Sequence, residues 1–514
     1  MLDKPLDQAL FDAGEVNLKE IQLDPELLKL ISPAQARKYR VLPLQKKGSV
    51  LQLVGVSPLT HGAIEELEYF TGCAIGLVLG DSAEINKNLD LHYGIQTSIK
   101  NLIESLEQTE IAPLHFSDFE QGIFSLEHGS GPIHQVLYLI FSQALQDRAS
   151  DIHFEPTDKD LLVRFRVDGV LHSIFHFSKQ ISPALVSSIK LLAKLDIAEK
   201  RRPLDGSFQL KIDRRMVDVR VSTFPVFDGE KVVVRLLDKE GASLSLLDLG
   251  LTGNTLLQVK NLIKKPHGIF LVTGPTGSGK TTTLYAVLNE LKSPEKNIMT
   301  IEDPIEYHLD QVNQSQVNEK AGLTFSTGLR SFLRQDPDVM LVGEVRDTET
   351  AEISFQAALT GHLVLSTLHT NDAPSSLVRL ADMKVEPFLL SSSLVGVLAQ
   401  RLVRKLCPFC LTEYQPSDEV LEWAKSVGYD TNFRHVKGAG CAHCKNQGYK
   451  GRIGIFELMV PDEHLKQMIL RGEISNSAIW DYCLKQGMKT LRQDGFQKVT
   501  EQLTTLEEIM RVAR

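Results

Sequence analysis

The sequence predicts an α/β protein whose central domain is a parallel sheet with helices on both faces. Short apolar segments at 269–273, 297–301, 338–342 and 363–367 alternate with stretches of helical spacing, which is the pattern of parallel strands joined by crossover helices. A glycine-rich turn at 274–279 separates the first of these strands from a helix-forming stretch. Such a turn lies at the edge of the sheet where folds of this kind bind ligands.

Smaller domains are predicted around this core, because 514 residues exceed what one hydrophobic core holds. A hairpin signal at Asp168-Gly169 and further strand-turn-strand patterns indicate a β-rich domain before the core. We expect, in chain order, a small N-terminal α/β domain (1–95), a polar linker (96–130), an α+β domain (131–243), the core (244–403), a cysteine-containing module (404–450) and a helical C-terminal region (451–514).

Composition narrows the classes of protein that fit. Hydrophobic residues make up 42% and charged residues 24% of the chain, which is ordinary for a globular protein. The formal net charge of −9 argues against a nucleic-acid binder with a large basic face. No apolar run approaches the roughly 18 residues that a membrane span needs, and the N-terminus lacks the basic start and apolar stretch of a signal peptide. We therefore expect a cytoplasmic protein that reaches any membrane through a partner.

A phosphate-binding loop is predicted between the first core strand and the following helix. The stretch 274–281 fits the pattern G-x-x-x-x-G-K-[ST], which curls successive backbone N–H groups around phosphates at a helix N-terminus. Lys280 is expected to reach the β- and γ-phosphate oxygens, and the Thr281 hydroxyl to bind Mg²⁺. The predicted nucleotide-binding residues are Gly274, Pro275, Thr276, Gly277, Ser278, Gly279, Lys280, Thr281 and Thr282.

Acidic residues end two further core strands, at Glu302-Asp303 in "NIMTIEDPIEY" and at Glu344 in "DVMLVGEVRD". Because ligands bind outside the carboxyl ends of parallel strands, both sites are expected to face the phosphates. One carboxylate can hold Mg²⁺ or its water shell, and the other can orient or deprotonate the attacking water. A helix cap or a solvated acid is the ordinary alternative. His362 and His369, at the two ends of "HLVLSTLHT", are expected to sense or position the γ-phosphate, although a lone histidine is more often structural.

Four of the six cysteines form two C-x2-C pairs separated by thirty residues. Four thiolates complete a tetrahedral Zn²⁺ site with no open position, so the predicted role is structural. Unrelated thiols and an iron–sulfur cluster are the alternatives. His443 is expected to be a bystander, and the isolated Cys73 and Cys483 are expected to be small buried hydrophobic residues. The predicted zinc ligands are Cys407, Cys410, Cys441 and Cys444.

Four motifs in order carry a family resemblance. Besides the phosphate loop, "TIEDPIEY" resembles an Asp box, "LVGEVRD" a Walker B segment and "TGHLVLSTLHTNDA" a His box. Together they resemble the secretion ATPase superfamily of type II secretion and type IV pilus assembly. The resemblance covers nearly the whole chain and implies a RecA-like core, a PAS-like fold for the α+β domain, and a hexameric ring that hydrolyses ATP and transmits motion to an inner-membrane platform protein.

The resemblance also implies roles for the residues in these motifs. Glu344 would serve the metal side, and Glu302 would activate the water, with Glu306 as the second candidate for that role. His362 and His369 fall on the histidines of the His box. These assignments come from the motifs and not from spacing alone.

Two arginines of the α+β domain are implied in the same way. Arg220 in "DVRVST" and Arg235 in "VVVRLL" match arginines that the family brings to the nucleotide from this domain. An arginine supplied from another domain stabilises charge on the transferring phosphoryl group and makes hydrolysis depend on domain closure. The alternative is that each arginine only pairs with acids on a strand face.

Within the family, "VDVRVSTFP", "LLDLG" and "LAQRLVRKLCP" resemble the type II secretion ATPase, and pilus extension is the first alternative. A RecA-like nucleic-acid translocase is a second alternative, but this acidic chain shows no basic, aromatic-interleaved channel. The expected ligands are ATP, Mg²⁺ and Zn²⁺. The N-terminal domain is expected to dock to the cytoplasmic domain of a membrane-anchored partner, with acidic lipid as a further candidate and no nucleic acid.

Overall fold

A computed structural model describes residues 25–28, 30–93, 123–124, 131–212, 215–237 and 244–513. The chain divides into two compact units, Met1–Leu236 and Leu237–Arg514. Most of the predicted linker 96–130 lies outside the described residues. None of the helices in the described part of the chain is both long and apolar enough to span a membrane.

In the described residues, the N-terminal part of the first unit contains a small three-stranded sheet. The strands have the order β1-β2-β3, with β1 and β2 antiparallel and β2 and β3 parallel. Ser32 caps helix α2 in a capping box with Gln35, and Gly72 ends helix α3 in the left-handed conformation (φ 63°). The elements are α1 (Pro25–Leu28), α2 (Pro33–Tyr39), β1 (Val41–Lys47), β2 (Val50–Gly55), α3 (His61–Thr71), β3 (Ala74–Leu79) and α4 (Ser82–Tyr93).

A seven-stranded sheet and two helices follow in the described residues of the first unit. Its strand order is β4-β8-β9-β10-β5-β6-β7. The predicted hairpin is present: Asp168 and Gly169 turn with positive φ (48° and 87°) between β6 and β7. The elements are β4 (Ile123–Phe124), α5 (Pro132–Gln146), β5 (Ala149–Pro156), β6 (Asp160–Val167), β7 (Val170–Ser178), α6 (Ser182–Leu192), β8 (Leu204–Ile212), β9 (Arg215–Val226) and β10 (Gly229–Leu237).

The core sheet of the second unit confirms the predicted parallel architecture. Its order is β13-β12-β14-β15-β11-β16-β19; the pairs along this order are parallel except the last, in which β16 and β19 are antiparallel. Every residue of β11, β14 and β15 is buried, as expected for strands covered on both faces. The strands are β11 (Gly268–Thr273), β12 (Ile298–Glu302), β13 (Asn313–Gln316), β14 (Val339–Val342), β15 (Leu363–Leu368), β16 (Leu394–Leu406) and β19 (Tyr449–Met459).

Helices flank this sheet and form the end of the chain. A two-stranded sheet of β17 (Leu411–Glu413) and β18 (Val436–Gly438) lies in the cysteine-containing module. The helices are α7 (Gly253–Ile263), α8 (Lys280–Leu291), α9 (Phe325–Phe332), α10 (Thr348–Leu359), α11 (Pro374–Asp382), α12 (Pro387–Ser393), α13 (Asp418–Ser426), α14 (Glu463–Leu470), α15 (Asn476–Lys485), α16 (Leu491–Thr500) and α17 (Leu506–Val512).

The C-terminal region differs in one respect from the predicted helical texture. It begins with the eleven-residue strand β19, which pairs with β16 along most of its length, as far as Leu406 opposite Tyr449. Seven consecutive residues of β19 are buried, because it completes the core sheet. The cysteine-containing module is therefore inserted between two paired strands.

Candidate functional site

The predicted phosphate loop connects β11 to α8 and has the backbone that its glycines allow. Gly274, Gly277 and Gly279 have φ values of 153°, 78° and 86°, in the region that side chains disfavour. The Lys280 ammonium donates to the carbonyl oxygens of Gly274 (2.8 Å) and Pro275 (3.1 Å), so the lysine lies over its own loop.

The residues around these positions differ in exposure. Ser278 is buried, Lys280 and Thr282 are half-buried, and Thr276 and Thr281 are exposed. The exposed Thr281 hydroxyl is at the first turn of α8, where the helix N-terminus favours an anion. The loop thus leaves backbone donors, an ammonium and a hydroxyl at one edge of the sheet, which suits a polyphosphate with its Mg²⁺.

Glu344 lies at the same edge, just beyond the end of β14. Its carboxylate forms an ion pair with Arg346 and contacts His369, whose Nε2 is 3.3 Å from Glu344 Oε2. Burial lowers the pKa of the Lys280 ammonium below its ordinary value, and the nearby positive charge of Arg401 lowers it further, while the charge of Glu344 raises it. Because β14 and β11 run parallel on either side of β15, Glu344 and the phosphate loop both follow the carboxyl ends of core strands and can act on the same ligand.

Arg346 was not singled out by the sequence analysis, although it lies within the "LVGEVRD" segment. Besides Glu344, its guanidinium approaches the Asp303 carboxylate at 3.8 Å. Arg346 thus connects the segments that follow β12 and β14. The sequence alone does not show that this arginine lies between two acids, because β12 and β14 are neighbours in the sheet but are separated by 36 residues in the chain.

Glu302, the last residue of β12, is buried in a hydrogen-bond network. Its Oε1 accepts from the Thr300 hydroxyl (2.6 Å) and from Gln314 Nε2 (3.1 Å), and its Oε2 accepts from the hydroxyl of Tyr285. Burial and the negative charge of Glu302 raise the pKa of Tyr285 above its ordinary value, so the phenol remains a donor. The carboxylate is fully oriented by its neighbours. Glu306 is half-buried, and its backbone N–H points to the Tyr285 hydroxyl at 3.4 Å.

The two histidines of the predicted His box lie at opposite ends of β15. His369 follows the strand and meets Glu344, whereas His362 precedes it, and its carbonyl accepts from the backbone N–H of Gly268 at the start of β11 (3.1 Å). The His362 ring contacts the Ala357 carbonyl (2.9 Å). The sequence-based expectation for His362 took both strand ends as one edge. Within one chain, His362 lies at the sheet edge opposite the phosphate loop.

The two predicted arginines lie in the first unit. Arg235 on β10 faces Asp151 of β5 and forms an ion pair with it through Nε at 2.9 Å, yet its side chain is 59% exposed. Arg220 lies on β9 opposite Ser207 of β8 and is half-buried. This ion pair is the alternative role that the sequence suggested for Arg235. Because the side chain is largely exposed, the guanidinium N–H groups that do not contact Asp151 remain accessible.

The cysteine-containing module brings its four predicted ligands together, with all four Sγ atoms within 4.8 Å of one another. The Sγ atoms of Cys407 and Cys441 are 3.8 Å apart, and those of Cys410 and Cys444 are 3.7 Å apart. A tetrahedral site with Zn–S bonds of about 2.3 Å has S···S edges of about 3.8 Å, so the thiols fit Zn²⁺. This group of cysteines is the tetracysteine site. His443 is not in the group; its ring stacks on Phe409 at 4.2 Å.

The backbone favours thiolate at one of these positions. Although burial opposes it, the N–H groups of Cys441 and Gly448 lower the pKa of Cys444 to about 6. Burial raises the pKa of Cys407 and of Cys410, the latter to about 12. The remaining two cysteines, Cys73 and Cys483, are buried, as predicted.

Comparison with known proteins gives consistent matches. A family profile described as "Type II/IV secretion system protein" matches residues 126–511, and one described as "MshEN domain" matches residues 7–99. The chain is 44% identical over 501 residues to the type II secretion system ATPase E of Vibrio cholerae, covering 94% of this chain and 99% of that one. It is 39% identical over 500 residues to the type IV pilus assembly ATPase PilB of Myxococcus xanthus, covering 96% and 88%. The crystal structure of the pilus retraction motor PilT with bound ADP superposes with a TM-score of 0.50 at 28% identity, covering 73% of this chain and 96% of that one.

Proposed function

The chain belongs to the type II/IV secretion system protein family, and on that premise we propose that it is the motor ATPase of a type II secretion system. In this role it would hydrolyse ATP to drive pseudopilus assembly and protein export. The observation that carries the proposal is the sheet order: β11, followed by the phosphate loop, and β14, followed by Glu344, run parallel on either side of β15, which puts a metal-side carboxylate and the loop at the same edge. The similarity to a protein named type II secretion system ATPase E supports the export system as its setting.

ATP would bind with its β- and γ-phosphates against the loop amides and Lys280. The Thr281 hydroxyl and Glu344, directly or through water, would hold Mg²⁺, which when bound neutralises charge on the phosphate oxygens. His369 is proposed to hold Glu344 in place through their contact. The Lys280 ammonium would exchange the loop carbonyls of Gly274 and Pro275 for phosphate oxygens, which are the stronger acceptors.

We propose Glu302 as the carboxylate that orients the attacking water and accepts its proton. Tyr285 and Thr300 would fix the direction of its lone pairs, which supports a positioned base. Glu302 is only 3% exposed, so its burial would limit the number of water molecules that can reach it. Glu306 is the second candidate for the same role.

Arg220 and Arg235 are proposed to complete the site from the α+β domain. The exposed part of the Arg235 guanidinium supports this role, since Asp151 occupies its Nε and other donors remain accessible. Closure of this domain onto nucleotide would then depend on ATP, and reopening after hydrolysis would perform work in a hexameric ring. The force would come from the difference in ATP affinity between closed and open forms.

Partners and location follow from the same proposal. We infer a cytoplasmic protein whose ring contacts an inner-membrane platform protein, and whose N-terminal domain docks to the cytoplasmic domain of a membrane-anchored protein. Acidic lipid is a further candidate partner. The tetracysteine site would hold Zn²⁺ through four thiolates and leave it no open position, so the metal would be structural.

Pilus extension is the second candidate, favoured by the 39% identity to a type IV pilus assembly ATPase over 96% of this chain. Both candidates require the same hydrolysis, so that activity is tested first. The purified chain should hydrolyse ATP, and K280A and E344Q should lose turnover while the fold is retained. E290Q is the matched carboxylate control, because Glu290 is on α8 but pairs with Lys260 at the surface. Undiminished turnover of K280A or E344Q would remove the assigned role. A strain lacking the chain would then show whether export or pilus formation fails.

A further inference from the structure

Gln400 on β16 is a buried residue directly behind the phosphate loop. It is 1% exposed and uses both ends of its amide. Its Nε2 donates to the Ser278 carbonyl in the loop (2.7 Å), and its Oε1 accepts from the Thr283 hydroxyl in the first turn of α8 (2.6 Å). One side chain thus joins the middle of the loop to the helix that follows it.

Two of the loop glycines lie against the same residue of β16. A Cβ on Gly274 would lie 2.5 Å from the backbone carbonyl oxygen of Gln400, and a Cβ on Gly279 would lie 2.8 Å from the side-chain Nε2 of Gln400. By contrast, a Cβ on Gly277 would meet nothing within 4 Å. The first and last glycines of the loop are therefore packed against β16 at this position.

The hydrogen bond from Gln400 to Ser278 constrains the backbone amides of the phosphate loop. A phosphate loop binds through backbone N–H groups that must point to one centre, so its affinity depends on the shape of the loop as well as on its charge. The hydrogen bond from Gln400 Nε2 to the Ser278 carbonyl fixes the orientation of the peptide between Ser278 and Gly279. The N–H of that peptide belongs to Gly279, the N-cap of α8, at the end of the helix that faces the phosphates.

We propose that Gln400 is a positioning residue for nucleotide binding, which holds the phosphate loop in its binding shape from the neighbouring strand. This inference rests on the proposed function, because the ligand is taken to be a nucleotide polyphosphate. Gln400 touches no part of that ligand; it acts through Ser278 and Thr283. A glutamine suits the position because it offers a donor to the loop and an acceptor to the helix at once.

The test compares Gln400→Glu with wild type in the full-length, zinc-loaded chain. Glutamate keeps the acceptor for Thr283 but lacks the donor to Ser278, and it adds negative charge behind the loop. We expect the Kd for Mg·ADP, and for a non-hydrolysable ATP analogue, to rise at least fivefold by calorimetry. Ser354→Ala is the matched control, since it removes a buried side-chain hydrogen bond (to the Thr350 carbonyl, 2.7 Å) from the same unit and should leave Kd unchanged.

A pair of substitutions at Thr283 tests the same proposal if Gln400→Glu fails to fold. Thr283→Val removes only the donor to Gln400 and should raise the Kd for Mg·ADP, whereas Thr283→Ser should restore it. A purely structural role would lower the melting temperature without changing Kd, and that result would overturn the inference. If wild type itself binds no nucleotide, the proposed function fails; if wild type binds and the folded variants bind equally well, only the role of Gln400 fails.

Discussion

The hydroxyl of Tyr285 donates a hydrogen bond to the carboxylate of Glu302, and both side chains are almost completely buried. Tyr285, on the helix α8 that follows the phosphate loop, thus orients the carboxylate at the end of β12, the next core strand in the chain. This relationship ties the proposed water-activating group to the element that begins at Lys280. The role of Glu302 can therefore be tested separately from that of Tyr285, which only orients it.

We predict that E302Q lowers kcat for ATP hydrolysis by roughly 10²–10⁴-fold, because the general base is lost. The Kd for nucleotide should change little, because the phosphate loop is retained. Y285F should lower kcat by about tenfold only, since Thr300 and Gln314 still bind the carboxylate. Steady-state turnover and equilibrium binding measure both. Parental turnover of E302Q would assign the role elsewhere, and E306Q then tests the second candidate.

Arg235 gives a prediction about the α+β domain. R235A should lower kcat by at least about 10²-fold while ATP still binds, because a transferred phosphoryl group loses a stabilising charge. R235K keeps the charge but not the planar fork, so we expect only partial recovery. Single-turnover hydrolysis checks this. Equal rates for R235A and wild type would leave the Asp151 ion pair as the residue's function.

The tetracysteine site predicts one zinc per chain by elemental analysis. Chelation, or C444S, should lower the melting temperature of the second unit, since metal binding free energy contributes to folding. A loss of about 2 kcal/mol would lower it by roughly 4–8 °C. C73S is the matched control, because Cys73 is a buried cysteine far from the site in sequence and in the other unit. Unchanged zinc content in C444S would contradict the assignment.

Glu457 predicts a pH dependence of stability. It is 1% exposed, and burial raises its pKa from 4.5 to about 7, although the N–H groups of Ala373 and Leu491 bind the carboxylate and oppose the shift. Between these values the folded chain binds more protons than the unfolded chain, so this group's contribution is complete below about pH 4.5 and is lost as the pH rises through about 7.

The contribution of Glu457 amounts to about 3 kcal/mol over that range, at 1.36 kcal/mol for each pKa unit. E457Q removes the titrating group and also one hydrogen-bond acceptor. The two proteins are therefore compared by how their melting temperatures change with pH, and not by their absolute stability. The melting temperature of wild type should fall relative to that of E457Q between pH 5 and 7.5. A constant difference across this range would show that Glu457 does not titrate there.

The sequence was most informative where the chemistry is local. The phosphate loop, the parallel strands and the cysteine pairs depend on residues a few positions apart, and the structure places them as predicted. Gln400 is different: it reaches Ser278 across 122 residues, and no local pattern distinguishes it from a surface glutamine. Strand β19 was missed because its buried apolar run is compatible with either a helix or a strand, and only pairing with β16 decides between them.

His362 shows a second limit. Spacing places it at an end of a core strand but does not give the direction of that strand in the sheet. The register of β15 with β11 decides the matter, because Leu363 pairs with Gly268, while Leu368 pairs with Thr273 beside the loop. Strand polarity, and not residue type, separates His369 from His362.

The pairing of Leu406 with Tyr449 has a consequence for how this architecture can vary. Residues 407–448 connect Leu406 of β16 to its pairing partner Tyr449 of β19, so a tight reverse turn in their place would preserve the pairing of the two strands. The inserted segment is nevertheless integrated with the domain, because Val420 and Ala424 share a buried cluster with Val403, Ile453 and Phe496. Deleting 407–448 would keep the ladder but uncover Phe496, on which Trp423 and Tyr429 stack, so we expect its loss to destabilise the C-terminal helices.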